Sequence, residues 1–195
     1  MVDKMEIRRE VRRRIKELSV EQCHNAAERI YREIVSKEQF HRAHCIALFV
    51  AMKDEVPTKM VLDAWQQLGK RIVIPRVEGD IMRFYDYSAD RMTIGAFGIE
   101  EPMGSDEVAP EEIDLIIVPA RAFTPSGIRL GRGGGFYDKY MSQPSFRAYK
   151  IGIAYKEQIF ETLPYDTHDI MVNEVVGENW VATISASLPS NCPLS

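Results

Sequence analysis

Four short, almost wholly apolar runs decide what this chain can fold into: "HCIALFVAM" (44–52), "RIVIPRV" (71–77), "DLIIVPA" (114–120) and "YKIGIAY" (149–155). Each has the length of a strand, and continuous apolarity at that length marks a strand covered on both faces. Segments with helical spacing lie before and between them. Residues 5–18 set Ile7, Val11, Ile15 and Leu18 on one stripe. Ser19, with Gln22 three residues on, has the form of a capping box. It opens a second helix with Ala26, Ala27, Ile30, Tyr31 and Ile34 inward. Thr58 opens a third helix that ends near Gly69. Strands alternating with helices imply βαβ units, hence an α/β fold with a mainly parallel sheet flanked by helices. "IMRFYDY" (81–87) reads as a more exposed strand, 88–112 as loop with a little helix, and 173–185 as one or two further strands. The expected organisation is a single domain over 1–195, with an N-terminal helical pair in 1–40 and a loose tail at 186–195.

Composition excludes several functions. Hydrophobic residues at 45% and charged residues at 28% belong to a globular chain rather than a disordered one. The net charge of −4 gives no global attraction for nucleic acid or an anionic membrane, in spite of the arginines in the first helix. No stretch approaches the roughly 18 apolar residues of a membrane span. "MVDKMEIRREVRRRIKELS" lacks the apolar centre of a signal peptide, and its glutamates argue against a transit peptide. Cys23, Cys45 and Cys192 are far apart and show no metal-ligand spacing, so they read as reduced thiols. Together these point to a cytoplasmic protein; separately from composition, the expected state is a monomer and the expected partners are small molecules. His24, His41 and His44 read as surface or flanking residues. His168, beside Asp169, is a minor candidate only.

The chemistry concentrates in "RLGRGGGFYDKY" (129–140), where four of the five positions 131–135 are glycine. Bare backbone amides at a helix start bind anions, phosphate above all. Arg129 and Arg132 would add charge-assisted donors, and Asp138 a carboxylate for Mg²⁺ on the phosphates. The run is neither a Walker A loop nor a dinucleotide fingerprint, and the glycines alone are equally compatible with a plain turn. In parallel sheets, ligands sit beyond the carboxyl ends of the strands. The 114–120 strand ends just before this loop.

The exact string resembles the RLGxGxGYYD segment of the 5-formyltetrahydrofolate cyclo-ligase family, also called methenyltetrahydrofolate synthetases. "KMEIRREVRRRIKELS" is similar to that family's KxxLR helix, and "LFVAMKDEVPT" to its strand ending in an acidic pair. "VPARAFTPSGIRLG" and "IAYKEQIFETLP" resemble its flanking segments. The resemblance spans nearly the whole chain in order. It implies a three-layer sandwich of the ribose-isomerase/CoA-transferase-like type. It also implies an ATP- and Mg²⁺-dependent ligase converting 5-formyltetrahydrofolate to 5,10-methenyltetrahydrofolate through phosphorylation of the formyl oxygen. Carried over residue by residue, it implies ATP contacts from Lys4, Met5, Glu6, Ile7 and Arg8, and from Arg129, Leu130, Gly131, Arg132, Gly133, Gly134, Gly135, Phe136 and Tyr137. Val50 and Glu55 would meet the folate. Asp138 and Asn173 would be the metal positions, and Arg132 the side chain most important for rate. Two departures stand out. Phe136 replaces a tyrosine, and Asn173 replaces an aspartate, offering a neutral and poorer Mg²⁺ ligand, with Asp169 nearby. They leave open a paralogue that binds nucleotide or folate in a regulatory or storage role without turnover.

Overall fold

Three of the four apolar runs become central strands over most of their length, while only the start of the first does. The computed structural model describes residues 3–95 and 98–184. The expected tail, Cys192 and the last residue of the 173–185 segment lie outside the described residues. Helices α1 (Lys4–Lys16), α2 (Val20–Val35), α3 (Glu38–Arg42), α4 (Lys59–Gln67) and α5 (Phe136–Met141) surround the sheet. The strands are β1 (Cys45–Ala47), β2 (Arg71–Glu78), β3 (Ile81–Asp86), β4 (Met92–Ile94), β5 (Glu100–Pro102), β6 (Glu107–Val108), β7 (Leu115–Val118), β8 (Ala122–Phe123), β9 (Arg129–Leu130), β10 (Tyr149–Ala154), β11 (Glu174–Gly177) and β12 (Trp180–Thr183).

The main sheet runs β12-β11-β10-β7-β1-β2-β3-β6. Its five middle strands are parallel, and β12, β3 and β6 are antiparallel additions. The middle strands show why an unbroken apolar run was needed. Ile46, Ile72, Leu115, Ile117, Ile151, Ile153 and Val176 pack on the face carrying α1, α2 and α4. Ala47, Val73, Ile116, Val118 and Val175 pack on the other, with Phe84, Tyr140 and Met141. The period-2 pleat sends alternate residues to opposite faces, and each buried Ile, Leu or Val stabilises the fold by about 1.5–3 kcal/mol. The result is the expected helix–sheet–helix layering, with α5 on the thinner side.

Local signals hold where they are local. Ser19 Oγ accepts the Gln22 amide and Gln22 returns the bond to the Ser19 amide, so α2 starts at the expected capping box. Thr58 does precede α4, but its hydroxyl accepts the Ala51 amide at 3.1 Å instead of capping the helix. The segment 88–112, read as loop, contains the β4–β5 hairpin and β6 as well. Among the described residues no helix is long and apolar enough to cross a membrane.

The strand order places the site. From β1 the chain moves to β2 on one side, then crosses to β7 and proceeds outward through β10 and β11 on the other. The direction of winding therefore reverses between β1 and β7. A crevice opens beyond the carboxyl ends of adjacent strands at such a reversal.

Candidate active site

A cleft of about 580 Å³ lies at that reversal. After β1, the chain supplies Phe49, Val50, Met52 and Glu55 to it. After β7, it supplies Pro119, Ala120 and Arg121. Toward β2 and β3, Pro75, Val77 and Met82 give apolar surface, and Glu101, whose Oε1 accepts the Val77 amide at 3.2 Å, lines the cleft as well. Toward α1 it is cationic. Lys4, Arg8 and Arg12 recur every fourth residue, which sets them on one helix face, and all three line the cleft.

The glycine loop forms the floor between these walls. Every residue from Arg129 to Asp138 lines the cleft. Gly133 and Gly135 have φ of 110° and 68°, left-handed values that a side chain would resist. Gly135 in this conformation turns the chain into α5. The amides of residues 131–135 enter no backbone hydrogen bond among the described residues. They remain available to anionic oxygen. Arg8 Nε donates to the Gly131 carbonyl at 2.8 Å, which ties α1 to the loop.

Four charged side chains cross the cleft as a chain. Arg132 donates to Glu55 Oε1 at 2.8 Å and to Asp54 Oδ1 at 2.5 Å. Asp54 Oδ2 accepts from Arg121, which is almost wholly buried three residues beyond β7. Glu55 Oε2 accepts the Met52 amide at 2.8 Å, and the Tyr155 hydroxyl donates to the Glu55 carbonyl at 3.2 Å. Burial pushes the Asp54 carboxyl upward, but the guanidinium groups of Arg132 and Arg121 outweigh it and leave its pKa lowered. Burial likewise opposes the charge on Arg132, and Glu55 and Asp54 overcome it, so the pKa is raised.

A second set of charges closes the α1 side. Lys4 Nζ reaches Asp166 at 2.7 Å and Asp169 at 3.1 Å. The bond to Asp166 is the main reason its pKa is raised. Burial favours the neutral form of Asp169, but the Asp166 amide and Lys4 hold its pKa low. Deeper in, Arg129 donates to Asp138 Oδ1 at 2.5 Å, and the same oxygen accepts the Ile170 amide at 2.9 Å. The Arg129 guanidinium also sits 5.9 Å from the Tyr137 ring centre. Burial is the largest reason the Tyr137 hydroxyl is pushed far above its usual range, with the Glu55 charge next.

Most residues expected at the site converge here, with exceptions. Lys4 and Arg8 reach the cleft, but the residues between them do not. Helical rotation turns Met5, 59% exposed, and Glu6 to solvent, and buries Ile7 in the core. Asn173 is also elsewhere: its Oδ1 accepts the amide of Lys150, the second residue of β10, at 2.9 Å. Its difference from aspartate therefore removes no carboxylate from the cleft. His168 is exposed and does not line it. Sequence reasoning missed Arg12, although its spacing from Lys4 and Arg8 was a usable signal. Asp166 and Arg121 carried no signal of their own.

The donor set suits a magnesium ion brought in on phosphates. Such an ion keeps most of its waters and needs one or two protein carboxylates rather than a closed cage. Asp138, Asp166 and Asp169 line the cleft, as do Arg8 and Arg129. Among the described residues no group of three or more potential ligands is preassembled.

Comparison with known proteins agrees with this geometry. The sequence profile of the 5-formyltetrahydrofolate cyclo-ligase family matches residues 1–178. The 5-formyltetrahydrofolate cyclo-ligase of Mus musculus is 30% identical, covering 89% of this chain and 92% of the mouse protein. The solved structure of Aquifex aeolicus 5,10-methenyltetrahydrofolate synthetase superposes with a TM-score of 0.81 at 32% identity, covering 98% of this chain and 96% of that one. The synthetase from Mycoplasma pneumoniae, at 24% identity and a TM-score of 0.74, shares the fold over 91% of this chain and all of its own. This chain belongs to the 5-formyltetrahydrofolate cyclo-ligase family.

Proposed function

We propose that this protein converts 5-formyltetrahydrofolate and ATP into 5,10-methenyltetrahydrofolate, ADP and phosphate, with Mg²⁺, as a cytoplasmic monomer. One observation carries the reading: the glycine–arginine loop and the Asp54–Glu55 turn, far apart in sequence, face each other across one cleft. The loop amides with Arg8, Arg129 and Arg132 suit a triphosphate. The apolar surface of Pro75, Val77 and Met82 suits a flat heterocycle, and Glu55 offers an acceptor for its N–H groups.

A formamide oxygen is a poor leaving group, so ring closure requires activation. The γ-phosphoryl passes to the formyl oxygen, N10 bonds to the formyl carbon, and the oxygen leaves as phosphate. The work of the chain is to hold the two substrates in line and to meet charge as it develops on the phosphoryl oxygens. Arg132 lies mid-loop between the two ends of the cleft, which fits it to contact the transferring group. Asp138 and Asp169 would hold the magnesium ion, which neutralises phosphate charge when bound.

The test is direct. Protein, ATP, Mg²⁺ and 5-formyltetrahydrofolate should give the near-ultraviolet absorbance of the methenyl product, with ADP in equal amount. Silence at every magnesium concentration would overturn the reading. ADP release driven by a different acceptor would point to another ligase on the same scaffold.

A further inference from the structure

Arg132 is bound to the groups it must leave. In the structure its guanidinium occupies Glu55 Oε1 and Asp54 Oδ1. Glu55 Oε2 is also taken, by the Met52 amide. The Glu55 side chain is 8% exposed, so little of it remains open to a ligand. The acid proposed to receive the folate and the arginine proposed to receive the phosphates thus neutralise each other. Neither can serve its ligand fully while the pair lasts.

Arg121 determines what happens when the pair opens. The four groups form a neutral set, two acids and two guanidiniums, in the order Glu55, Arg132, Asp54, Arg121. If Arg132 moves to a phosphate, Asp54 keeps a buried, charged partner in Arg121. Without Arg121, the same movement would strand a half-buried carboxylate, which is strongly unfavourable. Arg121 lies three residues beyond β7, where its amide donates to the Leu130 carbonyl at 2.8 Å, and its side chain is 5% exposed.

We infer that Arg121 is a positioning residue that lets Arg132 exchange between Glu55 and phosphate, so that nucleotide and folate each clear the site for the other. The inference rests on the proposed reaction. The two ligands select the same rearranged state, and each then binds more tightly in the presence of the other by an equal factor. When the competent state is a minor one, the apparent affinity for a single ligand is reduced by its population.

The experiment is equilibrium binding of 5-formyltetrahydrofolate, with and without a saturating non-hydrolysable ATP analogue and Mg²⁺, alongside turnover. The wild type should bind folate about fivefold or more tightly with the analogue. Arg121→Met should weaken folate binding severalfold when folate is alone, and much less with the analogue present. A merely structural loss would weaken both equally. Arg121→Lys, which restores the charge, should recover the single-ligand affinity. Arg132→Gln leaves Glu55 unoccupied and should make folate affinity independent of nucleotide. Wild-type turnover with equal folate affinities in the two conditions would overturn the inference while leaving the reaction intact. Failure of the wild type to bind either ligand would remove the reaction and the inference together.

Discussion

Glu55 and Arg132, which belong to motifs 77 residues apart, hold each other across the cleft at 2.8 Å. A carboxylate set for a heterocycle and a guanidinium set for phosphate are thereby kept compact and neutral in the empty site. The pair also accounts for the order along the sequence. The acidic turn follows β1, the arginine loop follows β7 by way of the β8–β9 hairpin, and β1 and β7 are the strands between which the sheet reverses its winding.

Replacing Arg132 with alanine should therefore act on two steps in opposite senses. Transition-state charge on the phosphoryl group loses a donor, which costs on the order of 10²-fold in kcat. Glu55 loses its internal partner, so the folate KM should stay level or fall. Steady-state kinetics with folate varied at saturating ATP will separate the two. An unchanged kcat with a raised KM would remove Arg132 from the chemical step.

Asp138 should prove structural as well as catalytic. It is the counter-charge of Arg129, whose side chain is 3% exposed and whose Nε has no hydrogen-bond partner among the described residues. Asp138→Asn leaves that guanidinium buried without a carboxylate and should destabilise the protein by about 3 kcal/mol. Thermal melting will show the loss in the absence of any ligand. If Asp138 also meets the metal, the magnesium concentration for half-maximal turnover will rise in the same variant. A normal melt with only a raised magnesium requirement would confine Asp138 to the metal.

The sequence made the central strands and the capping box legible because both depend on neighbours in the chain. The first apolar run shows the limit. Residues 44–52 look like one strand, yet β1 stops at Ala47, and Phe49, Val50 and Met52 go on to wall the cleft. A ligand wall and a sheet interior require the same apolar composition, so the pattern cannot divide them. α3 was invisible because five residues with one buried side chain, Phe40, show no periodicity. Arg121 is the opposite case. Its burial makes sense only with Asp54, 67 residues earlier, and no local pattern encodes a pairing made by the sheet. Met5, Glu6 and Ile7 came in with the motif as a block, whereas helical rotation admits only its ends.

The arginine-linked acids give the protein an acid-sensitive point. The Asp54 pKa is lowered despite burial, because Arg132 and Arg121 hold the charged form. A depressed folded-state pKa contributes stability that is present above the unfolded value, near 3.8, and lost as pH falls through the folded one. Denaturant melts across this range should show wild-type stability declining below about pH 4. Asp54→Asn should have a shallower acid limb and lower stability at neutral pH. An identical acid limb in the two proteins would mean that the pairing contributes nothing to folding.

Far from the cleft, Lys37 and Glu174 offer a test of stability alone. Glu174 opens β11 with its side chain 3% exposed, and Lys37 Nζ lies 2.6 Å from its Oε1. Lys37 is the only cationic partner of that oxygen among the described residues. Burial opposes the charge on Lys37, yet Glu174 and Glu33 leave its pKa raised. Lys37→Met should strand a buried carboxylate and destabilise the fold by about 3 kcal/mol. For a chain of this length that lowers Tm by about 6–12 °C. The double variant Lys37→Met/Glu174→Gln removes the stranded charge and should regain most of the loss. Because the pair sits at the amino ends of the parallel strands and the cleft at their carboxyl ends, kcat below the melting range should be unchanged in both. A single variant as stable as wild type would show that solvent reaches Glu174 well enough to replace the lysine.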